Sequence, residues 1–197
     1  MCAYKKKDGY YHKAKKEGYR SRAVYKIKQI DKEFNIFSQG DVVVDLGAAP
    51  GSWSEYAVEQ VGEGNVLAID LERMRDIEGV STYEGDMRDE EVINRLSIIA
   101  DKVDVVISDM APNISGNYTM DHARSIYLAQ QALEFCHKTL EKGGDFVVKV
   151  FQGEDFKDFL DEVKENFEFA QATSPKASRD SSSEMYIIGK RYLRNKE

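Results

Sequence analysis

Residues 41–54 read DVVVDLGAAPGSWS. The first six, Asp41–Leu46, are a short run rich in β-branched side chains and are predicted to form a strand. The run breaks at a turn holding Gly47, Pro50 and Gly51, and a helix is predicted over Trp53–Val61, closed by Gly62 and Gly64. A strand that passes through a glycine-rich turn into a helix is the opening of a βαβ unit.

The alternation repeats outward from this stretch. Upstream, Val24, Ile27, Ile30 and Phe34 give the predicted helix after Ser21 an apolar face. Downstream come a strand at Val66–Leu71, a weak strand at Ser81–Tyr83, a helix at Asp89–Ala100 and a strand at Val103–Asp109. Asp121 is the expected N-cap of a long helix with Ile126, Ala129, Leu133, Cys136 and Leu140 on one face, stopped by Gly143 and Gly144. A strand at Asp145–Phe151 and a helix at Asp155–Phe167 follow, then two strands near Glu168–Thr173 and Glu184–Leu193 with no helix between them. Continuous apolar strands alternating with helices imply a mostly parallel sheet covered on both faces. The final strand pair implies one antiparallel insertion at the edge. At 197 residues a single domain is expected, residues 20–197, preceded by a flexible basic arm at 1–19 that shows no periodic apolar face.

Charge divides along the same line. The net charge of −7 argues against a nucleic-acid partner if taken whole. Residues 1–28, however, carry ten Lys/Arg against two acids, or +8, and the remainder carries 18 basic against 33 acidic residues, or −15. A basic arm on an acidic body points to RNA contact through Lys5, Lys6, Lys7, Lys13, Lys15, Lys16 and the first helix, with Tyr10, Tyr11 and Tyr19 available for stacking and Lys176 and Arg179 as a second contact. Two cysteines, Cys2 and Cys136, exclude a disulfide framework and a four-cysteine zinc site. No apolar run approaches the roughly 18–20 residues of a membrane span. No secretory signal follows the basic N-terminus, so a cytoplasmic setting is expected. His12, His122 and His137 stand apart without metal-ligand spacing, and no metal is expected.

In an open α/β sheet, ligands sit at the C-terminal strand ends. The turn at 47–51 has neither the Lys-Ser/Thr of a phosphate-binding loop nor the third glycine of a dinucleotide loop. Asp45 at the end of the first strand would repel a pyrophosphate. Carboxylates and carbonyls suit a cation instead, and S-adenosylmethionine carries both a sulfonium and an ammonium. Gly47 and Gly51 allow close backbone approach, Asp70 is placed for ribose hydroxyls and Asp86 for an adenine amino group. Asp109 ends the fourth strand. Lys149 interrupts the apolar run FVVKVF, where a lysine is rare unless paired or functional.

With these residues in view, the sequence resembles the FtsJ/RrmJ-like ribosomal RNA large-subunit uridine 2′-O-methyltransferases. The resemblance is carried by RSRAVYKIKQID (20–31), VVVDLGAAPGSWS (42–54), SDMAPNISG (108–116), GGDFVVKVFQGE (143–154) and SSEMYIIG (182–189). It implies a Rossmann-like methyltransferase fold of seven strands with the last antiparallel. It also implies S-adenosyl-L-methionine as cofactor, and large-subunit ribosomal RNA as the partner of a monomeric enzyme. It places a catalytic tetrad on Lys26, Asp109, Lys149 and Glu184, and cofactor contacts on Gly51, Trp53, Asp70, Asp86 and Asp109. Ser52 departs from the pattern, where many members carry a second glycine. Other readings are a tRNA anticodon-loop ribose methyltransferase, a non-catalytic RNA-binding relative, and a nicotinamide-dependent oxidoreductase, the last disfavoured by the missing third glycine.

Overall fold

A computed structural model of the chain describes residues 8–99, 102–179 and 182–193. The strands are β1 (Val43–Leu46), β2 (Val66–Asp70), β3 (Val80–Glu84), β4 (Val103–Ser108), β5 (Leu140–Phe151), β6 (Phe167–Thr173) and β7 (Glu184–Tyr192). The helices are α1 (Gly9–Glu17), α2 (Val24–Phe34), α3 (Ser52–Val61), α4 (Glu90–Ile99), α5 (Tyr118–Thr139) and α6 (Phe156–Asn166).

All seven strands join one sheet in the order β3-β2-β1-β4-β5-β7-β6. The five on the β3 side are parallel, and β7 runs antiparallel to both β5 and β6. Alternation of side chains along the strands sends Val44, Leu46, Leu67, Ile69, Val106 and Val148 to one face, under α4, α5 and α6. Val43, Val66, Val105, Ile107 and Val147 go to the other, under α2 and α3. The expected α/β fold with helices on both faces is borne out. The last strand is the antiparallel insertion, as expected: β7 enters between β5 and β6, so β6 is the outer strand.

Two boundaries differ. α5 starts at Tyr118, where Asn117 caps Met120 N–H at 3.2 Å, and Asp121 turns back to bind the loop before it. α5 ends at Thr139, and Leu140 already belongs to β5, paired with Val103. Gly143 and Gly144 therefore sit within a strand, at a register shift between β4 and β5. A Cβ on Gly144 would lie 2.7 Å from the Asp104 carbonyl, so the glycine serves close strand approach and not helix termination.

The expected arm contains a helix. Asp8 caps α1 by accepting from Tyr11 N–H at 2.9 Å, and Gly18 closes it in the left-handed region at φ 87°. The face it buries holds Ala14 and the partly buried ring of Tyr10, which hid it from a search for aliphatic periodicity. Ala14 packs with Val24, Tyr25 and Ala177, the Tyr10 and Tyr25 rings lie 5.3 Å apart, and Lys13 Nζ sits 4.7 Å over the Tyr25 ring. Lys5, Lys6, Lys7 and Cys2 lie outside the described residues.

Candidate active site

The strand ends of β1, β2, β3 and β4 open on a cavity of about 460 Å3. Gly47, Asp70, Asp86, Asp109 and Met110 are among the residues that line it. The volume falls within the roughly 300–1,000 Å3 usual for small-molecule sites. Gly47 has φ 69°, and a Cβ there would lie 2.1 Å from Met110 Cγ, so only glycine fits this turn. Asp70 accepts from Ala49 N–H and Glu72 N–H, each at 2.8 Å. A carboxylate offers about four lone pairs, so capacity for two further donors remains. Asp86 is engaged by the Arg88 side chain, with Nε 2.8 Å from Oδ1, and this hydrogen bond holds its carboxyl below the usual range.

Three predicted cofactor residues stand behind this wall. Asp45 is buried and accepts from Ser54 Oγ at 2.6 Å. Burial first, then the charges of Asp109 and Asp70, push its carboxyl up to about 7 against the pull of the Ser54 hydroxyl. Gly51 begins α3 at φ 103°, where a Cβ would strike Ile77. Trp53 is buried under α2, donating its indole N–H to the Ala23 carbonyl at 2.9 Å and packing on Tyr186 at 5.8 Å. None of the three lines the cavity, and all three hold the turn that does.

Beside the cavity, the four residues of the expected tetrad converge. Lys149 Nζ lies 3.0 Å from Asp109 Oδ1 and also donates to the Asp109 carbonyl. Lys26 Nζ lies 2.8 Å from Glu184 Oε2 and 3.9 Å from Asp109 Oδ1. Lys149 reaches this point because it faces the α2 side of β5, opposite Val148 and Val150. Its register partner on β7 is Tyr186, two residues from Glu184 and on the same face. The Tyr186 hydroxyl donates to Asp109 Oδ1 at 2.6 Å. Burial alone would raise Asp109, but Lys149, Lys26 and Tyr186 together outweigh it and hold the carboxyl low. Burial and the Asp109 charge hold the Tyr186 hydroxyl protonated well above its ordinary range.

Sequence reasoning missed Tyr186, whose signal is the two-residue spacing from Glu184 on one strand. It also missed Arg20. This guanidinium donates to Glu55 Oε1 at 2.8 Å, the Arg75 carbonyl at 2.7 Å and the Pro50 carbonyl at 3.4 Å, tying the chain before α2 to the segments that follow β1 and β2. Tyr10 and Tyr19 are engaged within the fold, the former on Tyr25 and the latter with Glu59 and Lys28. Lys13, Lys15, Lys16, Lys176 and Arg179 are exposed. Among the described residues no cluster of three or more His, Cys, Asp or Glu could hold a metal, and no helix is long and apolar enough to cross a membrane.

Known proteins share this architecture. The chain is 53% identical over 189 residues to the Halorubrum lacusprofundi protein named Ribosomal RNA large subunit methyltransferase E, covering 93% of this chain and 70% of that one. It is 54% identical over 190 residues to the Methanosarcina mazei protein of the same name, covering 95% and 70%. A crystal structure of a ribosomal RNA methyltransferase from Plasmodium falciparum superposes with a TM-score of 0.80 at 27% identity, over 89% of this chain and 99% of the other. The profile of the FtsJ-like methyltransferases matches residues 19–192, bearing out the family resemblance read from the motifs: the chain belongs to the FtsJ-like methyltransferase family.

Proposed function

We propose that this methyltransferase transfers the methyl group of S-adenosyl-L-methionine to a ribose 2′-hydroxyl of large-subunit ribosomal RNA, at a uridine. The observation that carries the reading is the position of Asp109, which lines the cavity and pairs with Lys149. A methyl donor in the cavity and a nucleophile at Lys149 would therefore meet across one carboxylate. The names of the Halorubrum and Methanosarcina relatives support the RNA substrate.

The cavity fits the cofactor. Four carboxylates, Asp70, Glu72, Asp86 and Asp109, suit a cationic ligand, Ile69 and Leu71 suit a flat apolar base, and the spare lone pairs of Asp70 suit ribose hydroxyls. When bound, S-adenosylmethionine supplies a methyl group already activated on a sulfonium. The chain's own task is positioning and proton removal. Lys149 is the residue proposed to meet the 2′-oxygen: in its neutral amine form, its own proton already given up, it would take the hydroxyl proton as the oxygen–methyl bond forms and the methyl–sulfur bond of the donor breaks. Asp109 orients the Lys149 amine, and Tyr186 fixes Asp109. Lys26 and Glu184, paired at 2.8 Å, hold the ribose, and the Lys26 ammonium is the donor that faces the oxygen where negative charge develops. Residues 20–197 form the catalytic domain in this reading, and residues 1–19 contribute cations toward RNA. A cytoplasmic, single-chain enzyme is the setting proposed.

The test is Lys149→Ala. Transfer of labelled methyl to undermethylated large ribosomal subunits should fall about 10²–10⁴-fold, while calorimetry shows S-adenosylmethionine still binding. Turnover retained in that variant would overturn the assignment of Lys149. Wild-type protein that labels tRNA but not large subunits would overturn the substrate.

A further inference from the structure

A second groove of about 360 Å3, sharing no lining residue with the methyl-donor cavity, takes Glu184 of the tetrad into its wall together with Ile114, Tyr118, Phe151, Ser182 and Ser183. We propose that this groove seats the base of the nucleotide being methylated, with the Tyr118 ring as its stacking platform. The inference rests on the functional reading above and gives the substrate a subsite.

The argument begins with the sugar. The 2′-hydroxyl and the base are attached to adjacent ribose carbons, so a ribose presented to Lys149 must place its base within one sugar width. Asp109 faces the methyl-donor cavity. Glu184, joined to Lys26 at 2.8 Å, opens on the second groove. A base leaving the ribose away from the methyl donor enters that groove.

The groove is built for an aromatic plate. Tyr118 is 59% exposed and Ile114 65%, two large side chains left facing water beside an active site. Both are held in place. Asp121 accepts from Ser115 N–H at 2.8 Å, Ser115 Oγ at 2.7 Å and Gly116 N–H at 3.1 Å, fixing the turn between them. The Tyr118 hydroxyl donates to the Gln152 carbonyl at the end of β5, anchoring the ring to the strand that carries Lys149. A ring fixed before binding loses little freedom on stacking. Ser182 Oγ accepts from Glu184 N–H at 3.3 Å and keeps its own proton to give to a base edge. The exposed Lys176 and Arg179 precede this edge in sequence and are available to phosphates on either side. A base can enter only if it is unstacked, which matches recognition of a nucleotide outside a regular duplex.

The experiment is steady-state kinetics of Tyr118→Ala, Leu, Phe and Trp on undermethylated large ribosomal subunits, with the wild type alongside. Stacking on an aromatic side chain predicts that Ala and Leu lose about 5- to 150-fold in kcat/KM for RNA. Phe and Trp should stay within about threefold of wild type, and the KM for S-adenosylmethionine should be unchanged in all four. Unchanged RNA kinetics in Tyr118→Ala overturns the proposal. So does an equal loss in all four variants, which would assign the effect to the hydroxyl bond with Gln152 and not to the ring. A wild type inactive on every RNA strikes the functional reading itself and removes this subsite with it, a failure distinct from the other two.

Discussion

Asp45→Asn should change the pH dependence of stability in a direction opposite to that of ordinary acid denaturation. The carboxyl is buried without a cation beside it, and its folded-state pKa is raised from 3.8 to about 7. Below the unfolded value both states are protonated and nothing is lost. Between the two values the unfolded chain releases its proton while the folded chain holds it, so stability falls as pH rises, by about 1.4 kcal/mol per pH unit. Above about 7 the loss is complete, at about 4 kcal/mol. Asparagine cannot ionise, and its carbonyl can still accept from Ser54 Oγ. Any cost of the new amide is constant with pH. The stability of the variant minus that of wild type should therefore rise by about 3 kcal/mol from about pH 5 to about pH 8.5. Urea unfolding followed by the fluorescence of the single, buried Trp53 measures this directly. A difference that stays flat across the range would refute the reasoning, because it would mean that Asp45 is ionised in the folded protein at all of these pH values.

Three other outcomes are expected. Gly47→Ala forces a Cβ to within 2.1 Å of Met110 Cγ at φ 69°, which should cost about 1–3 kcal/mol of strain and weaken S-adenosylmethionine binding at least about tenfold by calorimetry. Tyr186→Phe removes a hydrogen bond to a charged carboxylate and should lower stability at neutral pH by about 1.5–3 kcal/mol. Because the folded state holds Asp109 low, the charge-assisted part of that bond is present at neutral pH and lost as pH falls through the folded value, so the gap between wild type and variant should narrow in acid. Replacing Lys5, Lys6 and Lys7 together by Ala should leave methyl-donor binding intact and reduce the slope of log affinity for RNA against log salt by up to about 2. An unchanged slope would place those lysines away from RNA.

How far the sequence reveals this site depends on what each residue's neighbours contribute. β1, β2, β4 and β5 were legible because parallel strands buried on both faces are continuous apolar runs, and Lys149 was conspicuous as the charge that breaks one. Lys26 had no such signal. It lies on a helix with Lys28 and Lys32, and only the chain's return at β7, bringing Glu184 to 2.8 Å, separates it from a solvated lysine. That contact spans 158 residues, and local periodicity carries nothing about it. α1 was missed for a different reason, since the surface it buries is Ala14 and the partly buried ring of Tyr10, a pattern that reads as polar. The division of charge between residues 1–28 and the rest survives the structure but changes meaning. Arg20 and Arg22 belong to the basic segment, yet Arg20 binds Glu55 and three backbone carbonyls, and Arg22 binds Asp8 and the Ala177 carbonyl. Their charges serve the fold, whereas Lys13, Lys15 and Lys16 of α1, together with Lys176 and Arg179, are exposed. The same principle explains Asp45 and Asp109. Both lie at equivalent strand ends, Asp45 buried and Asp109 half-buried, but Asp109 faces two lysines and is held ionised, while Asp45 faces a serine and is driven toward neutrality. Their different partners, supplied by β5, α2 and α3, decide which of two similar carboxylates can orient an amine and which supports the turn from behind.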